Sequence, residues 1–236
     1  MIDRQLNYGR HHIQKFITVA QPFSTVLDLG AGHGDDLLIA RRIYPGAKLF
    51  AVENFDPYAE ELKQKEIEVI KTNLETDALP FKNGSIDIVI CNQILEHCKE
   101  VWWIFHEISR VLSKNGKLII GVPNLASLHN RLLLLCGEQP TSIKNNSAHL
   151  RGYTKKDLLN LLDSGFPSGY ILKCFGGGNF YPFPGMIAKP LSNLLPSFAW
   201  SIFLMFEKIG NYQSGFLKYP IEKRLETNFF LGPGPV

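Results

Sequence analysis

The sequence predicts an α/β protein with a doubly wound, largely parallel sheet, and three observations support this prediction. Short apolar runs alternate with helical patterns over roughly 100 residues, which is typical of repeated strand–helix units. Residues 86–91 form a continuous apolar run, as expected of a strand that is buried on both faces. A tight glycine turn joins the first apolar run, residues 24–29, to the first helical pattern.

Each element predicted within residues 24–122 follows from the spacing of apolar residues and from the residues at which each helix or strand begins or ends. Pro45 and Gly46 end the first helix, and Pro57 occupies the favoured first position of the second. Asn115 and Gly116 end the third predicted helix. In chain order, the predicted elements are strand 24–29, helix 35–44, strand 48–53, helix 58–65, strand 68–71, strand 86–91, helix 102–112 and strand 117–122.

The pattern is less regular beyond residue 124. One helix is predicted for 125–136 and another for 154–162, where Thr154 is a good N-cap and Asp157 follows three residues later. Residues 170–175 predict a further strand. The three glycines at 176–178 are predicted to break the chain before an aromatic, proline-rich stretch at 180–185.

Composition narrows the class of protein. At 236 residues, the chain is long enough for one domain with some additional structure. Its formal net charge of +3 and its lack of like-charge blocks argue against a nucleic-acid partner. Four scattered cysteines without a Cys-x-x-Cys pair predict reduced thiols and a cytoplasmic location. The longest apolar stretch, 194–206, is too short to span a bilayer, which needs about 20 residues.

The glycine turn is the first candidate ligand site. A strand that ends in such a turn and opens a helix directs backbone N–H groups towards a ligand, and Gly30 and Gly32 allow a close approach. The third position of a dinucleotide-binding Gly-x-Gly-x-x-Gly pattern is Asp35, and Asp36 follows it. Two carboxylates at this position disfavour a pyrophosphate, so we expect a ligand without phosphate groups.

Two further carboxylates indicate a ligand with a positive charge and a ribose. Asp28 precedes the turn, where it can meet an ammonium group. Glu53 ends the second predicted strand about 20 residues after the turn, where a carboxylate can accept two hydrogen bonds from a ribose diol. Two alternatives stay open: an NAD-dependent oxidoreductase, which shares these features, and a protein of the same fold that binds its ligand without turnover.

Five ordered motifs resemble those of class I S-adenosylmethionine-dependent methyltransferases, in particular the type 11 and 12 groups. They are VLDLGAGHG at 26–34 with VE at 52–53, NLETDALPF at 73–81, IDIVIC at 86–91, LEH at 95–97, and EISRVL at 107–112 with the following Gly116 and Pro123-Asn124. The likeness is strong over 24–124 and extends loosely to residue 166. It implies a Rossmann-like sheet of seven strands with the last antiparallel, helices on both faces, and S-adenosyl-L-methionine as the cofactor.

The resemblance also implies an organisation and a set of binding residues. Residues 1–175 would form the cofactor-binding core, and residues 176–236 would add a lid-like extension and the final strand to the same domain. The glycine turn would line the methionine part of the cofactor, Glu53 would hold the ribose, and residues after the third and fourth strands would contact the adenine and face the methyl group. With Asp28 included, the predicted cofactor-binding residues are Asp28, Gly30, Gly32, Glu53, Asn73, Leu74, Asn92 and Gln93.

A hydroxyl acceptor needs a general base, and histidine is the side chain best tuned for this role. His97 follows the fourth strand, and His149 lies in a polar loop where the family often places substrate contacts, so these two are the predicted catalytic residues. His33 is expected to shape the turn, and Glu96 with His97 could equally cap the next helix. Some relatives bind a metal through Glu-x-x-Glu-His. Because Gln93 stands at its first position, no metal is expected.

The C-terminal section suggests the acceptor. Residues 180–185, 191–206 and 224–232 resemble the tails of methyltransferases encoded with polysaccharide and glycolipid assembly enzymes. Aromatic side chains suit the faces of sugars or an acyl chain, and 191–206 could lie in a membrane interface, although packing on the sheet is the simpler role. We therefore expect the acceptor to be a small molecule, or a sugar hydroxyl or carboxylate of a glycan or lipid-linked glycan.

Overall fold

A seven-stranded mixed sheet forms the centre of the protein, and the computed structural model describes residues 4–225 and 228–233. The sheet order is β3-β2-β1-β4-β5-β7-β6, and β7 runs antiparallel to its neighbours β5 and β6 while the other pairs are parallel. The predicted doubly wound sheet with an antiparallel last strand is therefore confirmed. The strands are β1 Thr25–Leu29, β2 Lys48–Val52, β3 Glu68–Ile70, β4 Ile86–Asn92, β5 Leu112–Pro123, β6 Tyr170–Gly178 and β7 Ser201–Lys208.

Helices cover both faces of this sheet, because successive strand residues point to opposite sides and each face is apolar. On one face, α1, α2 and α3 pack on strand residues such as Val26 and Ile88. On the other, α4, α6 and α8 pack on their neighbours Leu27 and Val89. The helices are α1 Arg10–Val19, α2 Asp35–Ile43, α3 Asp56–Gln64, α4 Val101–Val111, α5 Leu128–Leu135, α6 Lys155–Gly165, α7 Gly185–Leu194 and α8 Gly215–Glu222.

Strand β5 begins earlier than predicted, directly after α4. Asn115 and Gly116, predicted to end a helix, lie inside the strand, where the pairing with β4 shifts between Ile86 and Ile88. Asn115 adopts a left-handed conformation with φ 66°. Asn115, which signals a helix end in the sequence, also suits this bulge, because a helix end and a bulge can each contain a residue with a positive φ.

Three consecutive glycines continue strand β6, so the predicted break at 176–178 is wrong. A Cβ atom on Gly176 would lie 2.4 Å from the His12 ring, and one on Gly178 would lie 2.6 Å from the Leu6 carbonyl oxygen. The N-terminal segment, residues 6–12, therefore lies directly on strand β6, and His12 Nε2 is 2.9 Å from the Gly177 carbonyl oxygen. Glycine here permits a close approach of backbones rather than a turn.

The apolar stretch 191–206 does not form a single surface, which corrects the predicted membrane contact over its whole length. Residues 201–206 belong to β7 and are buried within the sheet. Residues 191–198 lie at the surface in part, with Leu194 76% exposed. In the described part of the chain, none of the helices has the length and apolar character needed to cross a membrane.

The C-terminal extension shares the sheet with the core, because β7 pairs with both β5 and β6. The predicted boundary at residue 175 falls inside β6, and the lid role of residues 176–236 stays a prediction. Of the tail 224–232, Glu226 and Thr227 lie outside the described residues. Phe230 packs edge-on against Trp103 of α4, with 5.1 Å between ring centres.

Gly9 fixes the N-terminal segment against the sheet. Its φ is +53°, and a Cβ atom there would lie 2.2 Å from the Phe203 ring. We expect Gly9→Ala to lower the free energy of unfolding by about 2–5 kcal/mol, because left-handed strain of about 1–2 kcal/mol adds to an overpacking cost of about 1–3 kcal/mol.

Gly84→Ala is the matched control for this substitution. Gly84 has φ +64°, and the nearest atom to a Cβ added there would be 3.8 Å away, so this substitution should incur only the cost of backbone strain. Urea unfolding of both variants measures the difference. If both variants lose the same free energy of unfolding, the close contact of Gly9 with Phe203 does not contribute to the effect.

Candidate active site

A cleft of about 570 Å³ opens at the carboxyl ends of β1 and β4, the edge of a parallel sheet where ligands usually bind. Its walls come from the N-terminal segment, the glycine turn, the start of α2, and the loops after β4 and α5. The lining residues are Asn7, Tyr8, Arg10, Asp28, Gly30, Ala31, Gly32, His33, Asp35, Asp36, Tyr58, Asn92, Gln93, Glu96, His97, Pro123, Thr141, Ser142, His149 and Trp200.

The glycine turn combines one crowded position with one open position. Gly30 has φ +73°, and a Cβ atom there would lie 2.8 Å from the Ile94 side chain. Gly32 has φ +53°, and a Cβ atom there would meet nothing within 4 Å. Gly30 is therefore required for packing, whereas the space beside Gly32 belongs to the cleft and is available to a ligand.

The turn and the first residues of α2 make this side of the cleft acidic. Burial raises the pKa of the Asp28 carboxyl well above its usual range, and repulsion from Asp36 and Glu53 adds to this effect. Burial also raises the pKa of Asp36. Arg10 partly balances the charge: its Nη2 lies 2.7 Å from Asp35 Oδ2, and its Nε lies 3.9 Å from Asp36 Oδ1. Because a nearby positive charge favours the ionised form of a carboxyl, this side of the cleft suits a cationic group and disfavours a phosphate, in agreement with the sequence argument.

Asn92, at the end of β4, connects three parts of the cleft wall. Its Nδ2 donates to the Tyr8 carbonyl oxygen at 3.0 Å and to Asp36 Oδ2 at 2.7 Å. Gln93 follows in a left-handed conformation with φ 58°, and its N–H donates to the Gly121 carbonyl oxygen at 2.8 Å. Both residues line the cleft as predicted, while their contacts with a methyl group or a substrate stay predictions.

Several buried polar atoms of the cleft have no hydrogen-bond partner. In the described ranges, six buried side-chain nitrogen or oxygen atoms lack one, and five of these six belong to cleft-lining residues. Because such groups are rare in folded proteins, their concentration here marks the cleft as a place where water or a polar ligand supplies the missing partners. They are Arg10 Nε, Asp36 Oδ1, Asn92 Oδ1, Gln93 Nε2 and Glu96 Oε2.

Three predicted cofactor residues lie beside the cleft rather than in its lining. Glu53 Oε2 accepts the Gly32 N–H at 2.8 Å, and Oε1 accepts the Phe55 N–H at 2.9 Å, so this carboxylate supports the glycine turn. Asn73 is exposed after β3, and Leu74 packs against the main core. Their predicted contacts with ribose and adenine stay predictions.

Glu96, His97 and His149 meet on another part of the cleft wall. The two imidazole rings lie edge to face with 4.8 Å between their centres. The Glu96 carbonyl oxygen accepts the N–H groups of Leu150 at 2.7 Å and Arg151 at 3.2 Å, which holds the loop of His149 against the end of β4. Glu96 is 1% exposed, and burial raises its pKa to about 7, whereas burial lowers the pKa of His97.

Three other lining residues carry no sequence signal. Tyr58 lies on α3, Thr141 follows α5, and Trp200 precedes β7, so the fold brings them together from distant parts of the chain. Their residue types are ordinary for a core or a loop, and no motif contains Tyr58, Thr141 or Trp200. These residues could have been assigned to the cleft only from the order of the strands in the sheet.

Comparison with known families identifies the domain. Residues 27–120, which contain β4 and most of β1 and β5 together with the glycine turn, match a family model described as a methyltransferase domain. This part of the chain is therefore similar to a methyltransferase domain. This match favours the methyltransferase interpretation over the NAD-dependent oxidoreductase that the sequence left open.

Individual relatives agree with this methyltransferase domain. A probable S-adenosylmethionine-dependent methyltransferase of Mycobacterium tuberculosis is 30% identical over 142 residues, which cover 58% of this chain and 46% of the relative. A malonyl-[acyl-carrier protein] O-methyltransferase of Herminiimonas arsenicoxydans is 28% identical over 110 residues, which cover 47% of this chain and 41% of the relative. The chain thus matches less than half the length of these curated relatives.

Solved structures support the fold of the methyltransferase domain. A SAM-dependent methyltransferase from Archaeoglobus fulgidus superposes with a TM-score of 0.61 at 12% sequence identity, covering 85% of this chain and 93% of the other. At this identity, the likeness establishes the shared fold, including the seven-stranded sheet.

The open space at Gly32 gives a direct test of cofactor binding by the methyltransferase domain. We expect Gly32→Ala to weaken the affinity for S-adenosylmethionine by about tenfold or more, or about 1.4 kcal/mol, because the added methyl group projects into the cleft. Isothermal titration calorimetry measures this affinity.

Gly137→Ala is the matched control. Gly137 has φ +77°, and a Cβ atom there would also meet nothing within 4 Å, so the backbone strain is comparable while the cleft is untouched. Unchanged affinity in Gly32→Ala would mean that the cofactor does not use this space. Gly30→Val is less suitable, since the contact with Ile94 makes it destabilise the fold.

Proposed function

We propose that the protein transfers a methyl group from S-adenosylmethionine to an oxygen atom of an amphiphilic acceptor, such as a lipid-linked sugar. One observation carries this proposal. The acidic glycine turn and the group of Glu96, His97 and His149 share a single cavity, and its unpartnered buried polar atoms come from both parts. The acidic glycine turn suits the cofactor, and the group of Glu96, His97 and His149 suits an acceptor.

The acidic part suits the charge of the cofactor. S-adenosylmethionine supplies an electrophilic methyl group on a positively charged sulfur. Asp28 and Asp36 would face its cationic groups, and the open space beside Gly32 would admit it without steric conflict. Glu53 is placed to brace the same turn from the neighbouring strand.

The group of Glu96, His97 and His149 best suits an oxygen atom as the methyl acceptor. Methylation of a hydroxyl group releases a proton, which the site must accept. Glu96 Oε2 has no partner among the described residues, and His97 and His149 lie beside it. The predicted catalytic histidines would therefore act together with Glu96 on the acceptor oxygen. One relative is named as an O-methyltransferase, which agrees with this choice.

An exposed apolar surface near the cleft supports an amphiphilic acceptor. Leu135 on α5 is 82% exposed and Leu194 on α7 is 76% exposed, and both helices contribute further exposed apolar side chains. The Arg131 guanidinium of α5 lies 4.8 Å from the centre of the Phe198 ring, just after α7, so the two helices are neighbours. His129 of α5 in turn lies 3.1 Å from the cleft residue Thr141.

The charges around this surface favour an anionic membrane. Residues 139–156 and 164–206 contain no Asp or Glu, and their charged residues are all Lys or Arg. An apolar surface bordered by cations is typical of proteins that bind an interface rich in anionic headgroups. We infer that a lipid-linked acceptor reaches the cleft from this side.

Label transfer tests the acceptor class. Incubating the protein with methyl-labelled S-adenosylmethionine and a cell extract, then separating glycan, lipid, protein and RNA, should place the label in the lipid or glycan fraction. Gly32→Ala should reduce that label at low cofactor concentration. Label confined to protein or RNA would contradict the proposed acceptor, and tight cofactor binding without any transfer would favour a binding protein.

Vesicle binding tests the apolar surface. The double variant Leu135→Glu, Leu194→Glu should sediment with phosphatidylglycerol vesicles several-fold less than the parent protein, because two charges replace apolar contacts with the interface. Its affinity for S-adenosylmethionine should not change.

Ile221→Glu provides the control. Ile221 is 65% exposed on α8, which packs with α4 and α6 away from α5 and α7. This variant should bind vesicles as the parent protein does. If both variants lose binding equally, general surface charge would explain the effect, and the proposed membrane surface would be wrong.

A further inference from the structure

Three groups that accept hydrogen bonds or metals converge in the cleft without a donor between them. One ligand atom from each of Glu96, His97 and His149 lies within 4.8 Å of the other two. Glu96 Oε2 is buried and has no partner in the described residues. A buried carboxylate oxygen without a partner is costly, so a positive charge at this position would stabilise the site.

The backbone orients both histidines in the same way. His97 Nδ1 lies 3.2 Å from the Ala148 carbonyl oxygen, and His149 Nδ1 lies 2.8 Å from the Ser142 carbonyl oxygen. A carbonyl oxygen only accepts hydrogen bonds, so Nδ1 carries the proton in each neutral ring. Nε2 is then the nitrogen with a free lone pair. This is the arrangement that orients metal-binding histidines in many proteins.

We propose that Glu96, His97 and His149 bind a divalent transition-metal ion in the cleft. Two imidazoles and one carboxylate are a common ligand set for Zn²⁺, Fe²⁺ and similar ions, and such sites keep coordination positions open. Ligand atoms on one tetrahedral ion are about 3.4 Å apart, so the ion would draw the three atoms closer together. The cleft provides the open side.

This proposal replaces the expectation that the chain binds no metal. That expectation rested on Gln93, which is a poor ligand at the first position of a Glu-x-x-Glu-His motif. The folded chain brings a different third ligand, His149, from a loop that the Glu96 carbonyl oxygen holds in place. The missing carboxylate is thus replaced by an imidazole from another part of the chain.

The role of the ion towards the acceptor rests on the proposed methyl transfer. With the ion bound, the three side chains act on the acceptor through the ion and not as bases. An acceptor hydroxyl at an open position would lose its proton to solvent more readily, because a bound cation lowers the pKa of a coordinated hydroxyl. The oxygen lone pair then forms the new carbon–oxygen bond, while the electrons of the broken carbon–sulfur bond stay on sulfur. No further reactant is needed.

Metal titration tests the site without relying on turnover. Tag-free protein is first treated with EDTA and dialysed, then titrated with Zn²⁺ by calorimetry and with Co²⁺ by visible absorption. We expect one equivalent to bind, with d–d bands that indicate nitrogen and oxygen ligands. Acetohydroxamate, a bidentate oxygen ligand, should shift the Co²⁺ spectrum, because open positions face the cleft.

Variants that keep the backbone contacts separate metal binding from folding. His97→Asn and His149→Asn retain a donor at the position of Nδ1 but lack Nε2, and Glu96→Gln removes the charge. Each should weaken Zn²⁺ binding by more than about 100-fold, beyond the effect of changing a group that only supports a metal ligand. His129→Gln is the control, because the amide of Gln can replace His129 Nε2 at Thr141 and the metal affinity should be retained.

The two proposals fail in different ways. Absence of stoichiometric metal binding, or equal binding in all four variants, would overturn the metal site even if S-adenosylmethionine binds. A bound metal without affinity for S-adenosylmethionine would instead overturn the proposed function. With both present, label transfer should fall in EDTA and return with added metal, and transfer unaffected by EDTA would exclude the ion from the reaction.

Discussion

The cleft depends on two hydrogen bonds from a single amide. Asn92 Nδ2 bonds the Tyr8 carbonyl oxygen and Asp36 Oδ2, so the N-terminal segment, α2 and the end of β4 are held in one arrangement. Without this amide, the buried carboxylate of Asp36 would lose a donor close to the like charge of Asp28, which is costly in a poorly solvated site. Arg10 Nε lies 3.9 Å from Asp36 Oδ1, and the glycine turn leads directly into α2, so both belong to the same part of the cleft wall.

Local patterns predicted much of the fold, and residues that serve two purposes caused the errors. Strands β1 and β4 follow from their apolar runs, and Thr154 caps α6 by accepting the Asp157 N–H at 3.1 Å, as expected. Asn115 was misjudged because a left-handed residue suits both a helix end and a bulge. The apolar run 194–206 was ambiguous for a similar reason, since a central strand and an interfacial segment have the same composition.

The candidate site was predictable where a motif defines it and not where the topology does. Gly30, Gly32 and Asn92 line the cleft because they lie at the carboxyl ends of parallel strands that share one edge of the sheet. The meeting of His97 with His149 depends on hydrogen bonds from a loop to the Glu96 carbonyl oxygen, which no spacing in the sequence reveals. Trp200 reaches the cleft only because β7 inserts between β5 and β6.

The packing of the N-terminal segment has a consequence for the order of assembly during synthesis. Gly9 lies against Phe203 of β7, and the Leu6 carbonyl oxygen lies against Gly178 of β6, so this segment packs on two strands that are synthesised much later than the segment itself. A nascent chain that has emerged only as far as β5 can form the glycine turn, but residues 6–9 still lack their contacts with β6 and β7. This segment therefore reaches its final position in the cleft wall only after β6 and β7 have formed.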